Sequence, residues 1–253
     1  MTARSGWIHA FALAAIVGLT GCAAHVLPTA LTETDRIEAA RKLIEQRRFL
    51  DATEYAKSAL AASTGSARVD EMIYLLGAAY LGQKEYPLAQ GEFERLVRDY
   101  SESDSAGAAS FRLGEALEGQ SRPRDFDQEF TRRAIAQWES YRRGYPGHWL
   151  NTEADRRILD GRGKLARKLV DAGDLYRRLK LWKPAIATYE RAVQEFGETI
   201  PSADAEVGIA MCFAGEGRHP EAIAKLLELE QRFPGRPVAQ RAATQRQRLQ
   251  KKH

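Results

Sequence analysis

The chain has 253 residues, a formal charge of +4 and a sequence pI near 9.1. A hydrophobic fraction of 44% supports a packed core, so global disorder is excluded, and the length suits one large domain or an elongated array. So small a net charge over this length, without any interleaved basic–aromatic motif, argues against a nucleic-acid binder.

The first element is an oily N-terminal stretch. Met1–Gly6 carry one basic side chain, Arg4, and Trp7–Leu19 are apolar apart from His9. These 13 residues fall short of the ~20 that a helix needs to cross a bilayer core. They match the apolar region of a signal peptide instead. Leu19-Thr20-Gly21-Cys22 follows at once. Small residues there leave room for a peptidase, and the thiol offers an acylation site. The arrangement resembles the lipobox of bacterial lipoproteins. That resemblance implies a signal peptide over 1–21, diacylglycerol on the Cys22 sulfur and a further acyl group on the new amine. An ordinary secretory signal that happens to contain a cysteine is the other reading. Ala23 stands where an inner-membrane retention signal would typically carry Asp, which points to the outer membrane. Residues 22–32 read as a linker of at most ~35 Å, so the folded part is expected close to the membrane.

Downstream, the chain repeats itself. "IYLLGAAY" puts Ile73, Leu76, Gly77 and Tyr80 at helical spacing, with Ala89 twelve residues after Gly77 and Phe93 four further on. This fits the tetratricopeptide pattern, in which small residues let two helices approach closely. The same twelve-residue step joins Ala40 to Ala52, Gly173 to Ala185 and Ala210 to Ala222. Phe49, Tyr86, Trp182 and His219 each stand three residues before the second small residue. One unit is interrupted: Gly114 and Ala134 are 20 residues apart, and the excess falls in "SRPRDFDQE", read as a loop insertion. Glu153–Leu169 reads as a long helix running into the fourth unit. The expectation is an all-α solenoid of about five tetratricopeptide-like hairpins. Repeats 1–3 occupy 33–145, and repeats 4–5 with a capping helix and basic tail occupy 146–253. Such folds mostly bind other polypeptides.

No HExxH pair, phosphate loop or Ser-His-Asp grouping stands out, and no cofactor is expected. Gly161 and Gly163 in "DGRGKLA" read as relaxing a helix. Cys212, in the apolar "GIAMCFAG", reads as a small buried core residue.

Two stretches carry a family resemblance. "DFDQEFTRRAIAQWESYRRGYPGHW" has Asp127-Gln128, Thr131, Ala134, Trp138 and Tyr145-Pro146; "KLARKLVDAGDLYRRLKLWKPAIATYERAVQEF" has Leu175-Tyr176, Ala185-Ile186 and Tyr189-Glu190. With the lipobox and the repeat count, the chain resembles the BamD family, outer-membrane lipoproteins of the β-barrel assembly machinery. The first, second and fourth repeats depart from the family by lacking a closing Tyr-Pro. The resemblance implies a scaffold without a catalytic site. Its C-terminal repeats would hold the barrel-inserting subunit, alongside other lipoproteins of the machinery, and its first repeats would take part in recognising unfolded outer-membrane proteins. A secretin pilotin and a coordinator of cell-wall synthesis would share the anchor and the helices.

Two candidate surfaces follow. Counting from Gly77 and Gly114 places Tyr74, Leu81, Phe111 and Arg112 on the inner face of repeats two and three, where they would hold a segment ending in an aromatic residue and a carboxylate, with Arg112 pairing the carboxylate. The same spacing also suits Tyr74 and Phe111 as inter-repeat core. At the other end, the last acidic residue is Glu230, and seven basic residues follow it. Val238, Ala242 and Leu249 outline a final helix. Its Arg241, Arg246 and Arg248, together with Arg177 and Arg178, would either be a solvated face that suits the helix dipole or dock an acidic surface of the barrel subunit.

Overall fold

The computed structural model describes residues 32–62 and 67–251, so the anchor sequence and Cys22 lie outside the described residues. The described residues fold into eleven α-helices and no strand. Five hairpins follow in order: α1 (Glu33–Glu45) with α2 (Phe49–Ala62), α3 (Val69–Gln83) with α4 (Tyr86–Asp99), α5 (Ala106–Gly119) with α6 (Glu129–Gly144), α7 (Asn151–Arg178) with α8 (Trp182–Phe196), and α9 (Ile200–Gly215) with α10 (His219–Arg232). A last helix, α11 (Pro237–Gln250), packs on α10 and α9. The array is a tetratricopeptide-like solenoid.

Helix α1 starts at a reciprocal cap. Thr32 Oγ1 accepts from the Asp35 N–H at 3.1 Å, and Asp35 Oδ2 accepts from the Thr32 N–H at 3.1 Å. The second, third and fourth hairpins then pack through a gap where a side chain is missing; the first and fifth have Ala40 and Ala210 at that contact. A Cβ on Gly77 would stand 2.8 Å from the Phe93 ring, and one on Gly173 would stand 2.5 Å from Tyr189; Gly114 likewise faces the Trp138 ring. A second set of gaps joins successive hairpins. Phe49 lies against Gly82, Tyr86 against Gly119 and Trp182 against Gly215. The aromatic that opens each of these second helices therefore fills a notch near the end of the next first helix. Gly161 also belongs to this class: a Cβ there would stand 2.9 Å from Ile135, so it admits α6 to α7 and does not merely relax the helix.

The tight hairpins turn through one left-handed residue each: Arg47 at φ 59°, Lys84 at φ 64°, Lys180 at φ 58° and Gly217 at φ 83°. In each case it lies seven residues after the small residue of the first helix. The third hairpin replaces that turn with the insertion, which is clasped from several sides. Gln128, 1% exposed, holds the two N–H groups of its Nε2 among the carbonyls of Pro123 (2.9 Å), Phe126 (3.1 Å) and Asp127 (3.1 Å), while its Oε1 accepts from Thr131. Lys164 and Lys168 of α7 donate to the carbonyls of Arg122, at 2.7 Å, and Arg124, at 2.9 Å. These bonds satisfy backbone acceptors that an irregular loop would otherwise leave to water.

First helices touch the next first helix at four joints, α1 with α3, α3 with α5, α7 with α9 and α9 with α11, while α5 and α7 are linked by long side chains, Arg157 reaching Glu115 and Glu118. Second helices pack against first helices. First helices therefore line the inner wall of the array, and both candidate surfaces fall on them or on their ends.

Candidate functional site

In the N-terminal repeats, the structure brings Tyr74 and Arg112 together across α3 and α5. Burial alone would lower the Arg112 pKa, but the Glu115 carboxylate and the Tyr74 hydroxyl beside it outweigh that and raise it. Arg112 Nη1 donates to Glu115 at 2.5 Å. Glu115 also accepts from Arg157 of α7 at 3.1 Å, and Arg157 reaches Glu118 and, at 2.8 Å, Glu153. Arg156 and Arg157 hold the Glu153 carboxyl at about 2, well below its ordinary range. Arg112 therefore faces inward as one member of a charged lattice tying α5 to α7. A ligand carboxylate there would compete with Glu115. Leu81 is half-buried and packs against the core, and the Tyr74 ring lies 5.9 Å from Phe93.

Phe111 does not belong to this surface. It is 1% exposed, with its ring 5.7 Å from Tyr141 and 6.3 Å from Trp138. Its carbonyl also accepts from Trp138 Nε1 at 3.1 Å. The inner-face expectation for Phe111 is corrected: its side of α5 turns toward α6, and the ring is core. Next to it, Tyr141 shares a 2.6 Å hydrogen bond with His148 Nδ1, which also accepts from the Leu150 N–H at 3.3 Å. Burial holds the His148 pKa below its ordinary value and pushes the Tyr141 hydroxyl up to about 12.

The predicted basic face at the C-terminal end is not one continuous patch. Arg177 donates to Asp174 at 3.1 Å and lies 3.4 Å from the Tyr189 hydroxyl. Arg241 pairs with Asp204, and Arg246 pairs with Glu230 at 2.7 Å. Arg178 and Arg248 are exposed, and no carboxylate pairs with either among the described residues. The end of α7 and the turn after it also expose apolar groups: Leu175, Tyr176, Leu179 and Leu181 all stand in solvent beside Arg178 and Lys180. Sequence reasoning did not single out this apolar set. Nor did it find Arg167 and Asp204, which pair at 2.6 Å across α7 and α9. The available signal was a pair of carboxylates, Asp204 and Glu206, within the otherwise apolar α9. Glu206 is 7% exposed and is paired by Lys225, at 3.3 Å, and Arg232.

Cys212 is fully buried, and burial pushes its thiol up to about 11, so little of it is thiolate at neutral pH. Among the described residues, no group of three or more His, Cys, Asp or Glu is placed to hold a metal ion. No described helix is long and apolar enough to cross a membrane.

Stacked helical hairpins with an inner wall of first helices define a repeat protein of the tetratricopeptide class. The model of the YfiO outer membrane lipoprotein family matches residues 30–214, and the chain belongs to that family, the BamD type its sequence resembles. The match ends before α10 and α11. No curated protein matches. Among solved structures, the chain is similar to the TPR2AB domain in the pHSP90 complex of yeast Sti1, at 16% identity and TM-score 0.44, covering 81% of this chain and 79% of that one. It is also similar to a thermophilic TPR protein of Thermus thermophilus, at 16% identity and TM-score 0.39, covering 84% of this chain and 98% of that one.

Proposed function

We propose that this protein is a non-catalytic scaffold of the β-barrel assembly machinery, anchored through acylated Cys22 to the outer membrane and facing the periplasm. Its membership of an outer membrane lipoprotein family carries the reading. The Leu19-Thr20-Gly21-Cys22 box supports the anchor. Two or three acyl chains, at ~0.8 kcal/mol per buried CH₂, hold a protein to a bilayer where one does not.

Two surfaces divide the work. The N-terminal repeats receive unfolded outer-membrane proteins around Tyr74, Leu81 and Arg112. The half-exposed Arg112, held inward by Tyr74 and Glu115, supports that assignment. The C-terminal repeats hold the barrel-inserting subunit through Arg177, Arg178, Arg241, Arg246 and Arg248. The apolar ridge Leu175, Tyr176, Leu179 and Leu181, with the exposed cations Arg178 and Lys180 beside it, supports that assignment. Aromatic and apolar groups supply the burial in such contacts, and rim charges set the association rate.

Copurification from detergent-solubilised membranes tests the reading. The major partner is expected to be a barrel protein with periplasmic domains. A secretin or a cell-wall synthase in its place would overturn the assignment.

A further inference from the structure

Two grooves open on α7, α9 and α11, one on each side of Asp204. The first, about 310 Å³, has Val170, Val207 and Met211 along it and Arg177 at its edge. The second, about 380 Å³, is walled by Ile200, Ala203, Phe233 and Val238, with Arg236 at its rim. Arg167, Asp204 and Arg241 line both and form a saddle between them. Asp204 Oδ2 accepts from Arg167 Nη2 at 2.6 Å, and its other oxygen accepts from Arg241 Nη2. One carboxylate thus holds two guanidinium groups, from α7 and α11, over one point.

The charge balance at the saddle is positive. A guanidinium has five N–H donors, and Arg167 and Arg241 each direct only one to a partner among the described residues. No carboxylate among the described residues pairs with Arg236. The remaining acids of the two grooves are engaged: Asp174 by Arg177 and the Tyr189 hydroxyl, Glu198 by Arg162. Helices α9 and α11 both begin at the second groove, each without a side-chain cap, so the positive ends of two helix dipoles add to the arginines.

We infer that the Arg167–Asp204–Arg241 saddle docks an extended polypeptide segment carrying one acidic side chain with an apolar side chain on either side of it. The acidic group meets the spare donors of the two arginines, and the apolar groups enter the two grooves. The segment passes across the saddle, because a chain ending there would leave one groove empty; the carboxylate is therefore an internal side chain and not a chain terminus. Alternate side chains of an extended strand share a face, so the apolar residues stand two positions before and two after the acid. This deepens the partner-binding role proposed for the C-terminal half and rests on it.

The test uses the full chain in detergent, labelled with ¹³C at the methionine methyls. Met211 lines the first groove, whereas Met72 is 5% exposed in the core and serves as the internal control. The probe is a nine-residue serine–glycine peptide with a central aspartate and a leucine two positions to each side, capped at both ends. It should shift Met211 saturably and leave Met72 in place. Changing the probe's aspartate to asparagine, or making Arg167→Gln with Arg241→Gln in the protein, should weaken binding at least about tenfold. Asp204→Asn should tighten it, because the arginines then lose their internal competitor. Equal binding of the aspartate and asparagine probes, no shift of Met211 at millimolar probe, or weaker binding by Asp204→Asn would each overturn the inference. Copurification of the barrel subunit is read separately, so a failed saddle with intact copurification leaves the assembly role standing, and the reverse result leaves the saddle standing.

Discussion

Between Ile37 and Ala154, all the buried apolar side chains except Ile135 connect into one cluster spanning the first three hairpins and the start of α7. Beyond it the core divides into three smaller clusters, around Ile135 and Phe196, around Val170 and Tyr189, and around Ala222 and Leu226. Charged joints run beside these clusters: Arg167–Asp204–Arg241, Arg177–Asp174 and Lys225–Glu206–Arg232. A single apolar core makes the N-terminal half respond to damage as a unit. A divided core with charge at its joints leaves the C-terminal half with shorter cooperative blocks and with donors and grooves open to a partner.

The largest test of that contrast is Trp138→Ala. Trp138 is 1% exposed and fills the gap over Gly114, so the change should cost about 3–5 kcal/mol in denaturant unfolding. Faster amide exchange should spread over α3 to α7. Loss confined to α6 would break the picture of one connected core.

Tyr189→Phe probes the other half. Tyr189 sits between Gly173 and Gly208, and its hydroxyl donates to Asp174 at 2.7 Å. Removing the hydroxyl should cost about 1 kcal/mol, with exchange changes limited to α7, α8 and α9. Spread into α3 or α5 would show that the division of the core has no energetic meaning.

His148 lies at the joint between the halves, between α6 and α7. Its folded pKa lies below the ordinary value of 6.5, so the unfolded chain takes up the proton first. The contribution of the neutral ring is full above that value and declines as pH falls below it. The melting temperature of wild type over His148→Gln should therefore be highest above pH 7 and narrow toward pH 5. A gap that widens toward acid would refute the neutral, accepting Nδ1.

The smallest effect is expected at the turns. Lys180→Gly relieves a left-handed backbone that costs a non-glycine residue roughly 1–2 kcal/mol, offset by about 0.5–1 kcal/mol of unfolded-state entropy. A gain below about 1 kcal/mol is expected in thermal unfolding. A loss would mean that the Lys180 side chain holds something at that turn.

Much of this fold was readable from spacing. The twelve-residue steps place the hairpins, and the lengthened third step places the insertion, because small residues at helical contacts leave a fixed interval. The left-handed turns were not readable, since arginine and lysine at those positions give no signal, unlike Gly217. Phe111 stands three residues before Gly114 and so shares the face that Gly114 turns to α6, which makes the core alternative, rather than the inner-face one, the reading that fits. The saddle was hidden for another reason: Asp204 lies 37 residues from each of its arginines, and only the stacking of α7, α9 and α11 brings the three together.

The two binding roles should be lost separately. Two variants are compared in membranes: Tyr74→Ala with Arg112→Ala, and Arg178→Glu with Arg248→Glu. Each is scored for copurification of the barrel subunit and for crosslinking to an unfolded barrel protein's C-terminal peptide. The first variant should keep the barrel subunit and lose the peptide crosslink; the second should keep the crosslink and lose the barrel subunit, most at low ionic strength. If both variants lose the same partner, or neither loses any, the chain is not a scaffold with separate substrate and partner halves.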